Sequence, residues 1–433
     1  MTLPEPIPQT PPDPPLLAAL RREPHNILLF AFHLIAMLGL LALAAVIVVT
    51  TLLQMMTSIP GVPALESPLP SFLLAGALAF SGLLLIPASI HSFRAMNASP
   101  DQPAALPPLR IGALLGILAI WIVAAVIAQV FGGYGASWLF LPPLALAGMG
   151  IPVYLLFRLG VGGVGLGTRQ RAWNVFGLGL VGGPALAGIL ELAVYLLLLL
   201  GGGIVLALKP DWQTTFTRLT TQLEQASTTD QILSLVSPYL MNPVVIILLL
   251  LVVAVVIPLV EELVKPVGVW LLRKRPPTPQ EGFALGVISG AGFALLESLL
   301  AAASNDGVWG LAFVARVGGG VMHILNTGLM GWAIASCWQE RRFGRLARTY
   351  GLVVFLHGLW NALTVGTIVG GLRVASSPQE MDLLGGALVG ISILGLGLLA
   401  SGGLALLVVL NRRMRPAPVT APVMETPRSE NTT

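Results

Sequence analysis

Charge is scarce in this sequence: Asp, Glu, Lys and Arg make up 10% of its 433 residues, against roughly a quarter in a soluble domain. A chain so poor in charge, and 55% hydrophobic, lacks the polar surface a soluble fold needs over most of its length. Cysteine is nearly absent as well. With Cys337 alone, neither an intrachain disulfide nor a Cys-rich zinc site can form, and five histidines narrow the remaining metal chemistry. No H-E-x-x-H and no G-x-S-x-G run occurs, which removes the usual zincin site and the serine-hydrolase elbow. No basic face interleaved with aromatics marks a nucleic-acid partner.

Long apolar runs take their place. They fall near 27–53, 71–92, 111–131, 136–157, 174–207, 243–272, 282–303, 309–337, 350–372 and 383–411. About 20 residues of helix cross the hydrocarbon core, and lipid leaves no partner for an open strand edge. The expectation is an all-α, polytopic transmembrane helical bundle of about ten spans. The 49 glycines suit helices that approach closely. The fifth run contains Gly182, Gly183 and Pro184 and is too long for one perpendicular crossing, so a tilt or kink is expected there.

The cations orient the bundle. With the N-terminus in the cytoplasm, the outer loops hold only Lys209, Arg218 and Arg373, while Lys265 and Arg316 fall inside spans. Every other Lys and Arg of the 23 lies on the cytoplasmic side, the asymmetry that retention charges produce. Both termini are then cytoplasmic, and the pI near 9.6 reflects topology. Residues 1–24 read as a disordered cytoplasmic lead without the short charged-then-apolar pattern of a signal peptide. Residues 25–208 read as accessory transmembrane helices. Residues 209–241 form an outer-face loop in which Leu219, Leu223, Ile232, Leu233 and Val236 give an amphipathic helical face. Residues 242–373 form the candidate catalytic core of four consecutive helices, 374–415 the last span and its flanks, and 416–433 a disordered tail.

Intramembrane charge costs at least about 2.5 kcal/mol per residue and so needs a partner or a purpose. The polar groups gather in spans six to nine: VEELVK from Val260 to Lys265, FALLE from Phe293 to Glu297, HILNT from His323 to Thr327, and HGLWN from His357 to Asn361. Helical rise puts Glu261 and Glu262 roughly 16 to 18 Å from the inner end of a continuous sixth helix, and His357 and Asn361 roughly 10 to 16 Å from the same surface. Residues three or four apart share a face, so Lys265 can reach both glutamates, and Arg316 lies two turns from His323. Glu191, His33 and His91 are the outliers in earlier spans. Glu191 reads as an isolated acid with a structural or accessory role.

These four elements, EExxK, FxxxE, a histidine on the next helix and HxxxN, resemble the PrsW family of intramembrane proteases, relatives of the CAAX-processing membrane enzymes. The resemblance covers roughly 243–372. The CAAX branch carries EExxxR and FxxxH, where this chain has Pro266 and Glu297. The resemblance implies an intramembrane endopeptidase in a bacterial cell membrane, acting on membrane-associated protein substrates such as an anti-sigma-factor-like regulator. By that likeness Glu261 and Glu262 would activate water, His323 and His357 would assist, and Asn361 would donate to the oxyanion. Lys265 would neutralise the glutamates, Glu297 would orient a histidine or act as a ligand, and Arg316 would partner an acid or a headgroup. Two mechanisms stay open: a zinc site formed by Glu262, His323 and His357, or a metal-free glutamate mechanism. A CAAX-type processing enzyme and a proton-coupled secondary transporter are the alternative readings.

Overall fold

In the computed structural model, residues 24–56, 67–97, 101–305, 307–376 and 382–416 are described, so most of the expected N-terminal lead and C-terminal tail lies outside them. Among them nine helical spans are long and apolar enough to cross a membrane. Helix α1 (Pro24–Met56) is followed by α2 (Leu69–Leu84) and α3 (Ile86–Met96), which together make the second crossing, then α4 (Ile111–Phe131) and α5 (Leu141–Val161). The fifth crossing is α6 (Arg169–Gly177) and α7 (Gly183–Leu208), joined by a π-helical turn at Leu178–Gly182. The kink expected at the glycine pair is therefore a widened turn. The last five crossings are α10–α11 (Pro243–Leu251 and Ile257–Val264), α13 (Pro279–Ala302), α14 (Trp309–Glu340), α15 (Phe343–Ser376) and α16 (Leu383–Met414). Helix α14 is the tenth long helix, its interior made more polar by Arg316, His323, Asn326 and Thr327.

The stretch expected as an outer loop is a pair of helices, α8 (Pro210–Gln225) and α9 (Thr229–Leu240). The second is capped by Thr228, whose Oγ1 accepts from Gln231 N, while the first has no side-chain cap. One short antiparallel ribbon joins β1 (Pro103–Ala105) to β2 (Gly165–Thr168). Their length of three and four residues gives no periodic signal in sequence.

Helix α13 is the axis. From Gly282 to Leu299 every residue except Glu297 is buried, so the helix is enclosed by protein on all sides but one. Its start is fixed by a capping box, with Thr278 Oγ1 accepting from Glu281 N and Glu281 returning the bond to Thr278 N. It packs against α14 through small residues: a Cβ on Gly286 would overlap the Thr327 carbonyl oxygen, and one on Gly331 would overlap that of Gly282. Backbones this close gain dispersion contact where lipid supplies no hydrophobic drive. Helices α2, α5 and α6 close the other side of α13, so the expected accessory helices form part of the core packing. The lone thiol of Cys337 is buried. His33 is fully buried too, beside a Ser92 hydroxyl that donates to Asn174 Oδ1 at 2.7 Å, and it ties α1, α3 and α6 together.

Several helix ends and connections are tied together at one end of the bundle. Arg171 pairs with Glu281 at 3.9 Å and donates to the Arg275 carbonyl, and Asn411 Nδ2 donates to Gly160 O at 2.8 Å. At the opposite end, Gln129 Oε1 accepts from Gly310 N at 2.9 Å.

Candidate active site

The sixth crossing was expected to run unbroken to residue 272, and it does not. Pro266 has no N–H to continue the helix, so α11 stops at Val264, and a single turn α12 (Val267–Trp270) and a 3-10 turn (Leu271–Lys274) follow. Two carbonyls released by the break find side-chain donors: Trp270 Nε1 donates to Leu263 O at 2.9 Å and Ser289 Oγ to Lys265 O at 2.6 Å. The depth of Glu261 and Glu262 cannot be counted along one helix past Val264. The break does something more useful, because it turns Lys265 inward over its own helix end.

Lys265 is fully buried, and its ammonium lies 2.7 Å from Glu262 Oε1 and 2.9 Å from Glu261 Oε2. The Phe293 ring lies 5.0 Å below it, a cation–π contact that gives the first residue of FxxxE a role. One turn on, Glu297 Oε2 holds His323 Nε2 at 2.8 Å, and its Oε1 accepts from Arg316 at 3.1 Å. Arg316 thus pairs with an acid of the neighbouring helix. His323 and His357 meet edge to face with ring centroids 5.6 Å apart. His357 Nδ1 is 2.9 Å from Glu262 Oε1, and its Nε2 is 3.9 Å from Glu261 Oε2. A ring nitrogen that close to a carboxylate donates its proton, which leaves the lone pair on Nε2. Helices α11, α13, α14 and α15 therefore bring Glu261, Glu262, Lys265, Glu297, Arg316, His323 and His357 into one cluster.

Exposure is graded across it. The side chains of Glu262 and Lys265 are at 0%, Glu261 at 14%, Arg316 at 22% and Glu297 at 40%. The cluster is sealed behind the lysine and opens on the side of Glu297 and Arg316. Glu262 Oε2 stays buried with no hydrogen-bond partner.

Asn361 is not directed into the cluster. Its Nδ2 donates to Val253 O at 2.8 Å, a carbonyl in the π-helical turn Val252–Val256 between α10 and α11. Such turns leave backbone acceptors unpaired and recur at functional sites. A Cβ on the neighbouring Gly358 would overlap the Ala254 carbonyl oxygen, so α15 reaches this turn only because residue 358 is glycine. Replacing Asn361 by alanine should then cost about 1 to 3 kcal/mol of stability by stranding the carbonyl, with cleavage lost in parallel with folding. Thermal unfolding beside activity checks this, and an inactive Asn361→Ala protein of unchanged stability would give the amide a chemical role instead.

Glu191 was expected to stand alone. It instead sits beside Glu261, on α7 packed against α11, adding a third carboxyl from a helix outside the four motif elements. A single acid on a leucine-rich helix carries no spacing signal, which is why sequence reasoning assigned it no place here.

The model of the PrsW family intramembrane metalloproteases matches residues 175–378. This segment is a PrsW-family peptidase domain. It begins ahead of the four motif helices, within the fifth crossing, and so takes in α7 and Glu191. No curated protein and no solved structure matches the chain. The PrsW assignment makes the chain an intramembrane peptidase whose substrates are membrane proteins in the bilayer.

The family description names a metal, and the donor set bears on it directly. The expected trio of Glu262, His323 and His357 is spent internally, with His357 on Glu262 and His323 on Glu297. Among the described residues no three His, Cys, Asp or Glu side chains are disposed around one ion position. The space between the two PrsW-motif glutamates already holds a fixed cation, the Lys265 ammonium, and a divalent ion on the same oxygens would be repelled by it. The residues as arranged do not fit a resident metal.

Proposed function

We propose that the PrsW-family domain hydrolyses a peptide bond of a membrane-associated protein with a water held between Glu261 and His357. The observation that carries this reading is the 3.9 Å gap between Glu261 Oε2 and His357 Nε2, which one bridging water spans with ordinary hydrogen bonds. Glu262, through Nδ1, fixes the imidazole tautomer so that Nε2 is the basic atom. As the water oxygen attacks the scissile carbonyl carbon, its proton passes to Nε2 while Glu261 orients the second O–H. The tetrahedral oxyanion forms in the positive field of Lys265 and Arg316. The imidazolium then gives its proton to the leaving amine nitrogen as the C–N bond breaks, and the products are a carboxylate and an amine. In this reading Glu261 and His357 are catalytic, and Glu262, Lys265, Glu297 and His323 are positioning residues. Asn361, expected as an oxyanion donor, serves as a tie to the π-helical turn.

The graded exposure supports substrate entry from the Glu297 and Arg316 side. The arginine-rich loops favour an orientation with both termini on the cytoplasmic side of a bacterial membrane, and a regulator of the anti-sigma-factor type is the substrate class the family resemblance implies. Hydrolysis of a reconstituted single-span substrate, followed by mass spectrometry of the fragments, tests the reading; no cleavage of any such substrate by the folded protein would overturn it. A second expectation follows from the donor geometry. Incubation with 1,10-phenanthroline should leave hydrolysis unchanged, and a loss restored by added zinc would show that the side chains rearrange around a metal.

A further inference from the structure

On the far side of α13 lies a cavity of about 880 Å³, within the size range of a small-molecule site. It is bounded by α2, α3, α5, α6, α13 and the short ribbon. Ile288, Ala291 and Leu295 of α13 line it, whereas Phe293 and Glu297 face the peptidase cluster. Positions two apart on a helix point about 200° from each other, so the two sites sit back to back on one helix. The body of the cavity is apolar and aromatic, with Phe80, Phe157 and Phe176 on its walls.

Its mouth is cationic. Tyr154, Arg158, Arg169 and His91 lie there, and an adjoining recess of about 170 Å³ shares His91 and Arg169 and adds Arg94 and Asp101. Arg94 ends α3, Arg158 ends α5 and Arg169 begins α6, so three helix ends gather guanidinium groups at one depth, that of a membrane surface. The only acid lining the recess, Asp101, accepts from the backbone N–H of Gln170 at 3.2 Å. Among the described residues no carboxylate makes an ion pair with any of the three arginines. Arg158 donates to Tyr154 Oη at 2.8 Å and to Pro107 O at 2.9 Å, and its Nε is buried with no acceptor. A buried N–H without a partner is costly, and a phosphate oxygen at the mouth would satisfy it.

We infer that this cavity binds one anionic phospholipid, acyl chain inside and phosphate against Arg158 and Arg169. Basic pockets between spanning helices hold headgroups by this combination of charge and apolar depth. A zwitterionic lipid would bring its own cation to a mouth that already carries three, so charge selects the anionic class.

The test uses the full-length protein purified in a neutral detergent and stripped of lipid, with its unfolding midpoint followed by intrinsic fluorescence. Short-chain phosphatidylglycerol should raise the midpoint by roughly 5 °C at saturation, while phosphatidylcholine of the same chain length and inorganic phosphate should not. Arg158→Gln and, separately, the exposed Arg169→Gln should each shrink the difference between the two lipids, and Ala291→Trp should abolish it by filling the cavity. Because each protein is compared with itself in two lipids, a destabilised variant still reports. Equal stabilisation by both lipids, a shift given by phosphate alone, or a lipid difference untouched by all three substitutions would each overturn the inference.

Discussion

Glu262→Gln should lower peptide hydrolysis by roughly three to four orders of magnitude while leaving a folded protein. The carboxylate at 0% exposure accepts from two donors at once, the Lys265 ammonium at 2.7 Å and the His357 Nδ1 proton at 2.9 Å. Both donors meet the one oxygen Oε1, while Oε2 has no partner. A carboxamide of the same shape can therefore keep both hydrogen bonds through its oxygen, but it loses the negative charge that raises the basicity of the imidazole and stabilises the imidazolium formed when Nε2 takes the proton. Single-turnover cleavage in proteoliposomes gives the rate, and the diagnostic comparison is the double variant. If Glu262 acts through His357, Glu262→Gln combined with His357→Ala should be no slower than His357→Ala alone. Multiplicative losses would mean that Glu262 touches the reacting atoms itself.

The second large effect concerns folding. Lys265→Met removes the one cation that Glu261 and Glu262 share, leaving carboxylates at 14% and 0% exposure. Breaking a buried ionic group by deleting one partner costs about 3 to 5 kcal/mol, so the variant should unfold at markedly lower temperature and yield little monodisperse protein. Replacing Lys265, Glu261 and Glu262 together by methionine and leucines should recover that stability, because an apolar cluster of similar volume carries no desolvation cost. The recovered protein should be inactive. Wild-type stability in Lys265→Met would mean that the lysine is not what neutralises the pair.

Hydropathy made the crossings legible because membrane insertion imposes a composition on every residue of a span, and all ten expected runs correspond to long helices. The cluster was legible for a related reason. Polar groups are so disfavoured in these helices that four short motifs stood out, and the spacing of EExxK put Lys265 on one face with both glutamates. What escaped was whatever depends on a backbone irregularity. The continuous sixth helix was read through Pro266, although proline is the residue that ends one. The partner of Asn361 is a carbonyl freed by a π-helical turn in a run of valines, a sequence with no local mark of irregularity. Glu191 and the phospholipid cavity arise from tertiary packing alone.

The widened turn at Val252–Val256 has a bearing on how this crossing tolerates change in length. One additional residue in a turn rotates everything beyond it by about 100° relative to what precedes it. The segment Pro243–Leu251, none of it buried, and the acid-bearing segment after Ile257 are therefore held at an angular offset that a regular helix would not give. A single deletion among these valines would keep the crossing apolar and helical yet swing both glutamates away from the imidazoles, so the length of this run works as a phase setting for the site.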